Sequence, residues 1–192
     1  MAEGTPLFFL FTVIKNNAEK ITKSTADAFS AFYQEYLPRV FKYISYRVAD
    51  NFLAEDLTSI VFEKALTRFK TYSAQKAAFS TWIFTIARNT LIDHFRARGR
   101  GKDVPLDDTL DRPNDEKSPE QNAIDQEERR ALRRCLSRLS PAELEIISLK
   151  FSSEMTNRQI AGVLGLSDSN VGVILYRAVR KLKKEFEKWQ HG

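Results

Sequence analysis

Ser167, Asp168, Ser169 and Asn170 stand just ahead of a run of cations, Arg177, Arg180, Lys181, Lys183 and Lys184. Short polar groups at the start of a helix can hydrogen-bond base edges, with Asn suited to adenine, while cations farther along can hold phosphates. The surrounding stretch, 155–176, reads M-T-N-R-Q-I-A-G-V-L-G-L-S-D-S-N-V-G-V-I-L-Y. Ile160, Leu164, Leu166, Val171 and Ile174 fall where two short crossing helices bury side chains against each other. Ala161 is the small residue such a crossing needs. Gly165 tolerates the positive φ of the turn, and Ser167 offers an N-cap oxygen to the second helix. An ordinary helical hairpin shares the glycine turn but gives no reason for the basic flank. The stretch therefore reads as a helix-turn-helix facing DNA.

A second group of donors lies upstream. Arg88, Asn89, His94, Arg96, Arg98 and Arg100 form a polar row on one helical stretch, and Tyr72 sits in the loop before it. A solvated helix face would carry similar residues. In combination with an aromatic ring, however, such a row suits an unstacked base and a displaced single strand. Glu55 and Asp56 form a third candidate group at a helix start, where the macrodipole favours acids whatever else they do.

Enzymatic chemistry has little to work with. No Ser/His/Asp arrangement or phosphate-binding glycine loop is present, so no catalysis and no small-molecule substrate is expected. The lone Cys135 excludes an internal disulfide and, lying on an apolar helical face, reads as core. With His94 and His191 as the two histidines, neither a metal nor a cofactor is expected.

Helices must position these groups almost throughout. Residues 27–48 place Phe29, Phe32, Tyr33, Tyr36, Val40, Tyr43, Ile44 and Tyr46 near helical spacing, with a kink or break expected at Pro38. A second helix is expected over 53–69, with Leu53, Leu57, Val61, Ala65 and Phe69 on one stripe. The pattern fails over 70–77, a loop, and returns over 80–96 with Trp82, Ile83, Ile86, Ala87, Leu91, Ile92 and Phe95. Gly99 and Gly101 end that helix. Farther on, Leu132, Leu136 and Leu139 give an apolar face. Ser140-Pro141-Ala142-Glu143 then forms a capping box that opens a helix burying Leu144, Ile146, Ile147 and Leu149.

Charge divides the chain in the same way. Residues 102–128 carry three basic and ten acidic residues, leaving the rest of a +5 chain at +12. The stretch 102–119, with three prolines and no period, reads as a flexible acidic linker. The expected architecture is all-α. A helical unit over 26–101 and a helix-turn-helix unit over 120–192 flank the linker, with an appendage at 1–25. The apolar run 7–14 is too short to span a bilayer and has no basic residue before it, so it is not read as a signal peptide. Cytoplasm is the expected compartment.

Three segments carry a family resemblance: L-A-E-D-L-T-S-I-V-F-E-K-A-L (53–66), F-S-T-W-I-F-T-I-A-R-N-T-L-I-D-H-F-R (79–96) and L-S-R-L-S-P-A-E-L-E-I-I-S-L-K-F (136–151). With the helix-turn-helix, they resemble the bacterial RNA polymerase sigma factors of the extracytoplasmic-function branch, which keep regions 2 and 4. The resemblance covers roughly residues 26–101 and 120–187. It implies binding to core RNA polymerase through the clamp helices of the largest subunit and the flap, with Glu55, Asp56, Ser59 and Glu63 on the clamp-facing helix. Ser59 and Ile60 depart from the Gln-Glu that many members have there. It also implies contact of Tyr72, Arg88, Asn89, Arg96 and Arg98 with the −10 element of promoter DNA. Ser167, Ser169, Asn170, Val173, Tyr176, Arg177, Arg180 and Lys181 would meet the −35 element. Where many relatives have Thr-Val-Lys-Ser-Arg, this chain has Asn170, Val171, Gly172, Val173 and Ile174. An anti-sigma factor is the implied regulatory partner. The competing reading is a helix-turn-helix regulator that binds duplex DNA without polymerase. It accounts for 129–192 but not for the string from Trp82 to Arg96.

Overall fold

The structure, a computed structural model, describes residues 23–48, 50–98, 131–132 and 134–190. The apolar run 7–14, Gly99, Gly101, the 102–119 linker, the start of the second unit at 120 and His191 lie outside the described residues. Helix α1 spans Lys23–Ser45 and continues through Pro38, so the break expected there does not occur. Phe29, Tyr33, Tyr36, Val40, Tyr43 and Ile44 form its buried stripe. Packing along that stripe offsets the backbone hydrogen bond that proline cannot donate.

Helix α2 spans Asn51–Arg68 and starts before the apolar stripe, because Asp50 caps it. The Asp50 carboxylate accepts from the backbone N–H groups of Phe52 and Leu53, at 2.8 and 3.3 Å. Glu55 and Asp56 thus lie about a turn inside the helix rather than at its start. A 3₁₀ turn, Phe69–Thr71, follows α2 directly, so the expected loop shrinks to the residues between Thr71 and α3. Helix α3 spans Phe79–Ala97 and buries Ile83, Phe84, Ile86, Ala87, Leu91 and Phe95 against α1 and α2.

The second unit is helical at residues 131–132 and 134–136, then at α4 (Pro141–Ser152), α5 (Asn157–Leu164) and α6 (Asp168–Gln190). Both halves of the expected capping box form at α4: Glu143 N–H donates to Ser140 Oγ, and Ser140 N–H donates to the Glu143 carboxylate. A second box opens α5, with Thr156 and Gln159 in the same reciprocal roles. Gly165 ends α5 at φ 68°, in the left-handed region that glycine adopts freely. Ile160, Ala161 and Val171 are buried, whereas Leu164 and Ile174 are half-buried. Two expected core leucines are not core: Leu132 is 45% exposed and Leu166 37%. Cys135 is buried as expected.

The two units touch. Helix α1 packs on α4, and α3 packs on α5. One hydrophobic cluster runs from the α1–α3 bundle into Ile146, Leu149, Met155 and Ile160. The described residues contain helices and turns but no strand.

Candidate nucleic-acid interface

Helix α6 is a continuous helix of 23 residues, about 35 Å at 1.5 Å per residue. Its first turns lie across α5, fixed by Val171, which is fully buried. The Val171 N–H donates to the Ser167 carbonyl, and the Asn170 N–H donates to Ser167 Oγ at 3.2 Å, which caps the helix as expected. Ser167, Asp168, Ser169 and Asn170 are exposed beyond this anchor, with Val173, Tyr176 and Arg177 continuing the same open surface. Tyr176 is 64% exposed, and the Arg180 guanidinium lies 5.8 Å from its ring centroid, a cation–π pair.

Lys181 differs from its neighbours. Its Nζ lies 2.8 Å from Glu143 Oε2, so it ties α6 to the capping box of α4. Burial alone would raise the Glu143 carboxyl. Lys181 and the Ser140 hydrogen bonds outweigh that and hold it below its ordinary value. Lys181 is thus a structural strut, a role its place in the basic run did not reveal.

A donor row on α3 forms the second surface. Asn89, Arg96 and Arg98 are exposed and Arg88 is half-buried. Lys64 from α2 donates to Thr90 Oγ1 at 3.2 Å and lies 3.9 Å from Asp93, which brings another cation beside the row. The Arg88 Nε is buried without a hydrogen-bond partner, beside Tyr43. Half-burial of His94, helped by the nearby Arg98 charge, holds its pKa below the ordinary imidazole value. A cavity of about 820 Å³ separates this row from the second unit; Asn89 and Arg96 line one side, Pro141, Leu164 and Leu166 the other.

Tyr72 occupies a less open position than its loop suggested. Its ring stacks near Phe69 and meets Phe79 and Trp82 edge-on or tilted, while its hydroxyl donates to the Ala77 carbonyl at 3.2 Å. This aromatic cluster shapes the loop between α2 and α3 and leaves Tyr72 half-buried. The clamp-facing candidates occupy one outward side of α2: Glu55, Asp56 and Glu63 are exposed, Ser59 half-buried, and Ile60 is 39% exposed between them. Among the described residues, no His/Cys/Asp/Glu group is arranged to hold a metal.

A family model described as Sigma-70 region 2 matches residues 32–101, and one described as Sigma-70, region 4 matches residues 129–182. The chain is 36% identical over 166 residues to the ECF RNA polymerase sigma factor BldN of Streptomyces coelicolor; the match covers 86% of this chain and spans 63% of that protein's length. It is 30% identical over 145 residues to the RNA polymerase sigma factor SigZ of Bacillus subtilis, covering 76% of this chain and 79% of SigZ. Among solved structures, the fold is similar to the sigma factor RpoE of Bartonella quintana, crystallised with the anti-sigma factor NepR. That match has a TM-score of 0.66 and 21% identity, and covers 83% of this chain and 97% of the other. CnrH, solved with the cytosolic domain of CnrY, matches with a TM-score of 0.63 and 19% identity, covering 94% and 96%. With both family regions present in order on the two units that carry the two donor surfaces, the chain belongs to the ECF branch of the sigma-70 family of RNA polymerase sigma factors.

Proposed function

We propose that this protein binds core RNA polymerase, directs it to a two-part promoter and assists strand opening, with no catalysis of its own. The observation that carries this reading is the pairing, in one chain, of a helix-turn-helix with an open reading face and a separate helix lined with Asn89, Arg96 and Arg98. A duplex reader needs only the first. The second suits unpaired DNA, whose exposed bases and phosphates both need donors.

The units proposed for these roles are 26–101 for core polymerase and the −10 element and 120–192 for the −35 element, joined by 102–119. Glu55, Asp56, Ser59 and Glu63 contact polymerase; Ser167, Ser169, Asn170 and Val173 read bases; Tyr176, Arg177 and Arg180 hold phosphates. The protein works in the cytoplasm, where its polymerase is. No described helix is long and apolar enough to cross a membrane. An anti-sigma factor, of the kind crystallised with the similar RpoE, is the proposed regulator.

Reconstituted transcription tests this. Core polymerase from the source organism plus the purified protein should yield discrete start sites on genomic templates, and core alone should not. If the protein instead shifts duplex promoter DNA tightly by itself and adds no starts to core polymerase, it is a free-standing helix-turn-helix regulator.

A further inference from the structure

Five cations, Arg47, Lys64, Arg68, Arg88 and Arg96, line the cavity between α3 and α4, against two acids, Asp93 and Glu145. Both acids are already engaged. Glu145 lies 2.8 Å from the Arg47 guanidinium and accepts from the buried Tyr43 hydroxyl at 2.5 Å, while Asp93 lies 3.9 Å from Lys64 Nζ. Arg68, Arg88 and Arg96 have no ion-pair partner among the described residues. Pro141 and Ala142, at the start of α4, belong to the same wall, so the partial positive charge of a helix N-terminus adds to theirs. Glu143, the acid of that first turn, is turned instead to Ser140 and Lys181.

Donors without acceptors single this space out further. Arg47 is 7% exposed, and neither its Nε nor its Nη1 has a hydrogen-bond partner, because the approach of Nη1 to Glu145 is not aligned for donation. Arg88 Nε, buried in the same wall, is orphaned as well. Leaving a buried donor unpaired costs more than an ordinary hydrogen bond gains, so an orphan of this kind calls for an acceptor from outside the chain.

We infer that this cavity is a binding site for a nucleoside diphosphate. Its three unpaired arginines match a ligand charge of about −3, and guanidinium groups take phosphate oxygens two at a time. A volume of about 820 Å³ falls within the roughly 300–1,000 Å³ of small-molecule sites. Leu164 and Leu166, at the end of α5, give the space an apolar wall against which a base can lie, and the Asn89 amide can meet the edge of that base. Inorganic phosphate would carry less charge and leave the apolar wall uncovered. Asn89 and Arg96 also belong to the surface proposed for the unpaired strand, but the nucleotide site does not depend on that reading.

Calorimetric titration of the full chain with ADP, free of divalent cations, tests the site. One ADP should bind per chain and raise its melting temperature, as a ligand held by the folded state must. Inorganic diphosphate should bind about tenfold more weakly, since it lacks the nucleoside. Arg68 is exposed and has no partner to fold around, so Arg68→Ala should weaken ADP by about tenfold while the chain keeps its helical circular dichroism. Arg158→Ala removes the same charge from an exposed position on α5 outside the cavity and should leave ADP affinity unchanged. Equal losses in the two variants would reduce the binding to a general attraction between a basic chain and an anion, and would overturn the site. Equal affinity for inorganic diphosphate would leave the nucleoside no part in it and overturn the assignment of the ligand. Absence of any heat or thermal shift with ADP would overturn both.

Discussion

Asp56 is exposed on the outward face of α2. Asp56→Lys should therefore weaken binding to core polymerase at least tenfold in a fluorescence titration while leaving the helical circular dichroism unchanged. In the proposed function, two residues of α6 divide reading from holding. Asn170→Ala should lose about 1–3 kcal/mol of discrimination at one −35 position, the usual scale for a good base contact. Arg180→Ala should weaken binding to all sequences alike and flatten its salt dependence. Identical sequence profiles for the two variants would refute that division. Lys181→Ala belongs to neither class, because its partner is Glu143: it should lower the melting temperature as well. The sequence located this basic run but could not sort its members, since the partner of Lys181 lies 38 residues away. Tyr72 was legible as an aromatic in a loop, but not as a ring already packed among Phe69, Phe79 and Trp82.

Helix starts are where local sequence and structure agree most closely, because a cap is made by residues three apart. Ser140 and Glu143 were readable for that reason, and Ser140→Ala should cost about 0.5–2 kcal/mol by chemical denaturation. The same logic would have found Asp50, but the apolar stripe starting at Leu53 drew the expected boundary inward. Pro38 does not break α1: its local cost is real, but six buried side chains along the helix outweigh it. The capping box also carries a pH dependence. Glu143 is held below the ordinary carboxylate value when folded, so its contribution is complete at neutral pH and is lost as pH falls through that lowered value. Glu143→Gln should thus be less stable at neutral pH and lose less stability than the parent on acidification. Parallel stability curves for parent and variant would show that the carboxylate charge is not what matters there.

At the scale of the whole molecule, the order of the two units was readable and their contact was not. Tyr43 and Glu145 are 102 residues apart: periodicity placed Tyr43 on the apolar stripe of α1, but no local spacing could pair its hydroxyl with Glu145. What each surface does in concert can still be tested. Replacing Asn89 and Arg96 with alanine should cut transcription from duplex promoter far more than from a template with a pre-melted bubble, because the bubble supplies the unpairing free energy. Permanganate reactivity of promoter thymines would report the same defect. Normal melting by the double variant would make α3 a scaffold and place the opening surface elsewhere.

The anchoring of α6 has a consequence for how such a protein can diverge. Its fold depends on Val171, Ala178 and the strut from Lys181 to Glu143, while Ser169, Asn170 and Val173 project outward and contribute little to the core. On the proposed reading of α6, specificity and foldability are thus inherited through different positions of one helix. A library randomised at 169, 170 and 173 should yield mostly folded proteins with new promoter preferences, whereas one randomised at 171, 178 and 181 should yield mostly unfolded ones. Drift in the upstream code then meets little resistance from stability, and duplicated copies can part company in the genes they serve before their structures differ.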